Sequence, residues 1–315
     1  MTTKKYIVAV SGGIDSVVLL HKLVAQNSNP NSPNVFVVAH FDHGIREDSK
    51  DDALFVKALA QTYDLEFVCE RAELGHGASE AEAREARYVF LYKVMQAYGA
   101  EAIITAHHQD DVIETILVNV LRGTSPRGLI GYSRQNIVRP LLDKPKSWIL
   151  DYATKNNLHW HEDSTNADIE YLRNYIRLKL IPKLEYEHVN KLLEYRKYVS
   201  EAYQEIDMLI KSLIVQITNK GELQRASFVT LPYVVQKELV ATLFRIRGIA
   251  FDAPMVEKTV IAIKTMLPQK QLQIGQGFIL QARKHTLAIV KNHLAPCIMT
   301  LYESKEVKKG PEKGR

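Results

Sequence analysis

Short apolar runs that alternate with stretches of helical periodicity constrain this chain more than any other feature. Tyr6 to Val10, Val35 to Ala39, Leu65 to Cys69 and Ala102 to Ala106 read as strands, with Ile137-Val138 as a short fifth. Between them, apolar residues recur at helical intervals. Val17, Leu19, Leu20, Leu23 and Val24 share one face, and Asp48 to Tyr63, Ser79 to Tyr98 and Gln109 to Leu121 follow the same rule. Gly99 and Arg122-Gly123 supply helix stops. Val35 to Ala39 is apolar throughout, as a strand covered on both faces must be. Strand-helix alternation of this kind predicts an α/β fold with a mostly parallel sheet and helices on both faces. Sites in such sheets lie at the carboxyl ends of strands. The polar clusters at Ser11, at His40 to Arg46 and at His107 to Asp111 all follow strands.

The pattern changes after residue 143. Lys144 to Asn156 reads as a helix, Asp163 to Asn174 as a polar loop, and Ile176 to Leu184 as a helix or turn interrupted by Pro182. Val189 to Ile217 reads as one long helix or two short ones, up to the break at Asn219-Gly221. Helical stretches at Val234 to Arg247 and Val256 to Met266 precede alternating segments at Gln271 to Ala282 and His285 to Val290. The expected organisation is a catalytic domain over 1–185, a helical connector over 186–218, a small α+β domain over 219–302 and a charged tail over 303–315.

Composition excludes several classes. The only two cysteines, Cys69 and Cys297, form no CxxC pair, which argues against a disulfide framework or a cysteine-held zinc or iron–sulfur site. No apolar run is long enough to span a membrane, and the first apolar segment is too short for a signal peptide. The expected location is the cytoplasm, with no membrane partner. The formal charge of +5 tolerates an anionic partner without demanding one. An apolar helix face in the second domain is compatible with a homodimer.

Ser11-Gly12-Gly13-Ile14-Asp15-Ser16 joins the first strand to the first helix. Paired glycines let backbone N–H groups approach phosphate oxygens, and the helix N-terminus adds favourable polarity. Asp15 would repel phosphate unless a divalent cation lay between them, so the loop suggests a magnesium nucleotide. A tight turn with Asp15 as a cap-like residue is the plainer reading. Neither GxxxxGK[ST] nor GxGxxG occurs here, which disfavours the two commonest nucleotide-binding classes.

Asp111 and Glu114 lie three residues apart and share a helix face just after His107-His108. They suit a cation, either magnesium or an amino-acid ammonium, or simply a solvated helix start. Arg84 and Arg87, like Arg173 and Arg177, have the spacing of guanidinium pairs aimed at phosphoryl oxygens, or of surface charges paired with nearby acids. Asp163 and Asn166 read equally well as turn residues or as groups that orient a substrate.

Taken in order, five stretches make the chain resemble the PP-loop ATP pyrophosphatases, and within them the tRNA(Ile)-lysidine synthetases. They are the glycine loop, Asp42-His43-Gly44-Ile45-Arg46, Ala83 to Tyr88, Thr105 to Thr115, and Asp163 to Asn166 with Arg173 to Arg177. The resemblance runs over roughly residues 5 to 180 and implies a Rossmann-like sheet. It implies ATP held by Ser11, Gly12, Gly13, Asp15, Ser16, Ala39 and His107, with Mg2+ at Asp15. Asp15, Arg84, His108, Asp111 and Arg173 would take catalytic roles. Arg84, Arg87, Asp111, Glu114, Asp163, Asn166, Arg173 and Arg177 would contact substrates, with Asp111 and Glu114 as the acids that receive lysine. The implied partners are tRNA(Ile) with a CAU anticodon and free L-lysine. Either Asp111 or His108 would deprotonate the lysine amine. Three rivals remain: a tRNA thiolase of the same class, disfavoured by the unpaired cysteines; an amidotransferase-type synthetase, which needs an ammonia source; and a nucleotide-sensing RNA-binding protein without turnover.

Overall fold

The first strand, β1 (Lys4–Ala9), lies at the centre of a five-stranded sheet, where Ile7 and Val8 are fully buried. In the computed structural model, residues 4–27, 34–44, 49–72, 79–131, 134, 136–161, 172–275 and 277–291 are described. Asp163, Asn166, Ile45, Arg46, Cys297 and the tail at 303–315 lie outside these residues.

The elements after β1 are α1 (Ile14–Asn27), β2 (Asn34–Asp42), α2 (Ser49–Thr62), β3 (Glu66–Arg71), α3 (Glu80–Ala97), β4 (Ala102–Ile104), α4 (Gln109–Leu121), β5 (Ile137–Val138) and α5 (Lys146–Lys155). The sheet runs β3-β2-β1-β4-β5, and every pairing in it is parallel. Alternate side chains of β1 enter opposite layers, as strand geometry requires. Val8 and Val10 pack with α1, α2 and α5 through Leu19, Val56 and Ile149, while Ile7 and Ala9 meet α3 through Tyr88, Leu91 and Val94. The α3 helix opens on a capping box: Ser79 Oγ accepts from the Glu82 N–H at 3.3 Å, and the Glu82 carboxylate accepts from the Ser79 N–H at 2.9 Å.

A short helix, α6 (Leu172–Tyr175), and a wide helical turn (Ile176–Leu180) lead to α7 (Tyr186–Ile217). Leu172 to Asn174 is therefore helical rather than loop-like, because the chain has already begun the turn that presents Arg173 and Arg177. The region expected as one helix or two is a single helix of 32 residues. The chain divides into two compact units, Met1–Ser200 and Glu201–Arg315, with the division inside α7.

In the second unit, β6 (Thr218–Asn219) and β7 (Glu222–Gln224) form a hairpin turned by Lys220 and Gly221, both at positive φ. Thus Asn219-Gly221 breaks the helix by reversing the chain into a sheet. Then come α8 (Arg225–Val229), α9 (Tyr233–Ile246), α10 (Ala253–Thr265), β8 (Gln271–Gln273), β9 (Phe278–Ala282) and β10 (Thr286–Lys291). The sheet, ordered β6-β7-β10-β9-β8, is antiparallel and packs Leu280 and Leu287 against Phe228, Phe244 and Val260. The protein thus has a mostly parallel α/β sheet and a second, smaller α+β domain, the class that the sequence predicts. Among the described residues, no helix is long and apolar enough to cross a membrane.

Candidate functional site

Strands β1 and β4 are neighbours, although β2 and β3 lie between them in sequence. This is where the strand order reverses, and the carboxyl edge there opens a crevice. A cavity of about 440 Å³ occupies it, lined by the glycine loop, the ends of β2 and β4, and α3. Ser11, Gly13, Asp15, Ser16, Ala39, Arg87, His107 and Asp111 all contribute to its wall.

In and just before the loop, three carbonyls find partners within the protein. Val10 O accepts from the buried His40 ring at 2.9 Å, Gly12 O from the His161 N–H at 3.1 Å, and Gly13 O from the Ser16 hydroxyl at 2.8 Å. Gly12 sits at φ +98°, a conformation that side-chain-bearing residues rarely adopt. Ser16 Oγ also accepts from the Ser11 and Gly12 N–H groups, each at 3.2 Å, which tightens the turn. The first N–H groups of α1 have no carbonyl one turn back, as at any helix start. The result is a polarity suited to anions.

Asp15 is pinned by a residue from α5: Lys146 Nζ donates to Asp15 Oδ1 at 2.5 Å. Sequence reading missed Lys146, although a lysine in the first turn of a helix is unfavourably placed against the dipole unless an acid holds it. On the β4 side, His108 caps α4. Its Nδ1 accepts from the Asp110 N–H at 3.3 Å, and the His108 N–H donates to Asp111 Oδ2 at 2.9 Å. With Nδ1 acting as acceptor, the ring carries a hydrogen on Nε2. That atom lies 3.7 Å from Asp15 Oδ1 and 3.6 Å from Asp111 Oδ2. One imidazole N–H thus sits between two carboxylates from different strand ends.

The two acids expected to share a ligand have different surroundings. Asp111 lines the cavity, whereas Glu114 is only 1 % exposed and is held by guanidiniums. Arg177 donates to it through Nε and, at 3.0 Å, through Nη2, and Arg173 Nε stands 3.3 Å away. Burial pushes the Glu114 carboxyl above its ordinary value, and the guanidiniums pull against that rise. Arg177 also reaches to 3.7 Å from Asp111 Oδ1. Arg173 and Arg177 therefore meet the acids of α4, as four-residue spacing on a common face allows.

Arg84 and Arg87 flank the fully buried Tyr88 ring, 5.3 and 5.6 Å from its centre, and Arg134, which sequence reading missed, stacks at 4.1 Å. Burial, followed by Arg84, Arg139 and Arg87, drives the His107 imidazole down to about 2, so it is neutral. His107 Nδ1 pairs with Thr105 Oγ1 at 2.9 Å. His107 therefore offers a neutral polar wall rather than a base.

No group of three metal-ligating side chains occurs among the described residues. That donor set still fits magnesium bound chiefly through phosphates and water, since such an ion takes only one or two carboxylates from the protein. Asp15 and Asp111, both in the cavity wall, are the candidates. Cys69 is free and exposed on β3 and takes no part in the cavity wall.

Comparison with known proteins agrees with this architecture. A tRNA(Ile)-lysidine synthase of Exiguobacterium sibiricum is 38% identical over 184 residues, 56% of this chain and 43% of that protein. Another from Histophilus somni is 33% identical over 251 residues, 76% of this chain and 58% of its own. The chain thus spans less than half the length of the Exiguobacterium relative. In fold it is similar to the U34-tRNA thiolase NcsA of Methanococcus maripaludis, solved with its 4Fe-4S cluster. The TM-score is 0.53 at 16% identity, covering 65% of this chain and 74% of that one. The PP-loop domain model matches residues 1–184, more than half of the sequence, and the chain belongs to the PP-loop ATP pyrophosphatase family.

Proposed function

We propose that the protein is a tRNA(Ile)-lysidine synthetase. It would join free L-lysine to C2 of the wobble cytidine of tRNA(Ile) with a CAU anticodon, consuming ATP and releasing pyrophosphate and AMP. The observation that carries this reading is the cavity itself, where an anion-facing loop and the acids at the start of α4 meet around one histidine N–H. The relatives named as lysidine synthases support the choice of substrates.

In the first step, O2 of cytosine attacks the α-phosphorus of ATP and pyrophosphate leaves. The start of α1 would face the phosphates, and Arg84 and Arg87 would offset charge that spreads onto phosphoryl oxygens. Magnesium, when bound beside Asp15, would neutralise phosphate charge. In the second step, the lysine ε-amine attacks C2 and displaces AMP. Free lysine is mostly protonated near neutral pH, with a reference value of about 10.4, so the site must accept a proton. His108 already uses Nδ1 as an acceptor and presents Nε2–H, which leaves Asp111 as the acceptor. We assign Asp111 to receive the ammonium group and take its proton, and Glu114 to hold Arg173 and Arg177 in place. An unpaired anticodon base can be turned into such a cavity at little unstacking cost.

The test is product analysis with lysine and tRNA omitted one at a time. Pyrophosphate should form with tRNA present, and AMP and the lysidine-containing tRNA only with both. Formation of ADP, or turnover that ignores tRNA, would reject the proposal.

A further inference from the structure

Phosphate-binding loops work only while their carbonyl oxygens stay turned away from the ligand. Of the three carbonyls described above, two are secured by residues close by: Gly13 O by Ser16, and Val10 O, just before the loop, by His40 on the adjacent β2. The third, Gly12 O, belongs to the glycine at positive φ and depends on a group distant in sequence. Its partner is the His161 N–H at 3.1 Å.

His161 is itself fixed. Its ring stacks on Phe55 of α2, with centroids 4.4 Å apart and planes inclined by 25°. Its Nδ1 donates to Asp52 Oδ1 at 2.8 Å, and Asp52 lines the cavity. Phe55 Cδ1 and Val56 Cγ2 each lie 3.5 Å from where a Cβ on Gly12 would stand, so α2 backs the same turn. One side chain therefore ties α2 to the 157–161 segment, and its backbone closes onto the glycine loop between them.

We infer that His161 is a positioning residue for nucleotide binding. The stack and the Asp52 bond hold its backbone N–H on Gly12 O, which keeps that carbonyl turned away from the phosphate side of the loop. This rests on the reading that the loop binds nucleotide phosphates. Loosening His161 frees Gly12 O to rotate toward the ligand, where its partial negative charge opposes phosphate. The loss falls on nucleotide affinity, because the group that the latch holds is a carbonyl of the loop itself.

The experiment is calorimetric titration of the full chain with α,β-methylene-ATP, beside ATP steady-state kinetics, for His161→Ala, His161→Asn and His161→Phe. Asparagine can keep the bond to Asp52, and phenylalanine can keep the stack. The alanine variant should bind the analogue about fivefold or more weakly. Its KM for ATP should rise by a similar factor while kcat stays within about twofold. The asparagine and phenylalanine variants should fall between alanine and the unaltered protein. Unchanged analogue affinity in His161→Ala, whether or not its melting temperature falls, would overturn the inference. Failure of the unaltered protein to bind the analogue would instead overturn the nucleotide reading and the latch with it.

Discussion

Lys146 and Asp15 meet across 131 residues of sequence, the ammonium of one bonded to the carboxylate of the other at 2.5 Å. Each stands in the first turn of a helix, where Asp15 is favoured by the dipole and Lys146 is not. Both groups are about one-third exposed, so the pair contributes little to stability. Its value lies in aiming Asp15 at the cavity. Lys146→Met should leave the melting temperature nearly unchanged yet lower the rate of AMP formation by about tenfold or more. Lys146→Arg should restore part of it. A variant that makes AMP at the original rate would remove Lys146 from the site.

The carboxylates that bracket His108 Nε2 give a second expectation. Asp15→Asn and Asp111→Asn should fold, with circular dichroism spectra like the original, and lose most activity. They should differ in kind. The first should abolish pyrophosphate release, whereas the second should still adenylylate tRNA and stall before lysine transfer. Normal lysidine yield from either would count against the assignment.

Glu114 makes a contrasting case. With Glu114 buried and its partner Arg177 only partly so, Glu114→Gln should destabilise the protein by about 2 kcal/mol in denaturant titration. Because Glu114 is engaged by Arg177 and Arg173, the same change should depress kcat more than it raises the KM for lysine. A selective rise in lysine KM would return Glu114 to the role of lysine ligand.

His107 sets a pH dependence of stability. Its folded value of about 2 lies below the ordinary value of 6.5, so between those limits the unfolded chain binds the extra proton. Stability contributed by the neutral ring is therefore complete above about pH 6.5 and declines on acidification, by about 1.4 kcal/mol per pH unit well below that value. Unfolding free energies measured at pH 7 and pH 5 should differ less in His107→Gln than in the original. Equal differences would show that His107 is not held neutral.

Periodicity made the sheet legible because burial on both faces leaves an apolar run in its inner strands β1, β2 and β4. The boundaries of α4 were readable as Gln109 to Leu121, since His108 and Arg122-Gly123 act locally. That the clusters at Ser11 and His107 to Asp111 would be neighbours was legible, because parallel topology puts strand ends on one edge. What sequence could not give was partnership across the fold. Lys146, Arg134 and His161 look like ordinary helix and loop residues until α5, the approach to β5 and the 157–161 segment are folded back on α1, α3 and α2. Likewise Asp111 and Glu114 share a face by spacing, but only the return of Arg173 and Arg177 divides their surroundings.

The sheet order β3-β2-β1-β4-β5 also bears on how the chain comes to be made. Of these five strands the first to be synthesised becomes the middle one, and its β4 edge stays unpaired until residues 102 to 104 have been made. During that interval Ile7 and Val8, fully buried in the finished protein, border an open strand edge. A nascent chain that stalls short of β4 therefore exposes a template for aggregation, and it is the stretch of synthesis in which a chaperone has the most to shield.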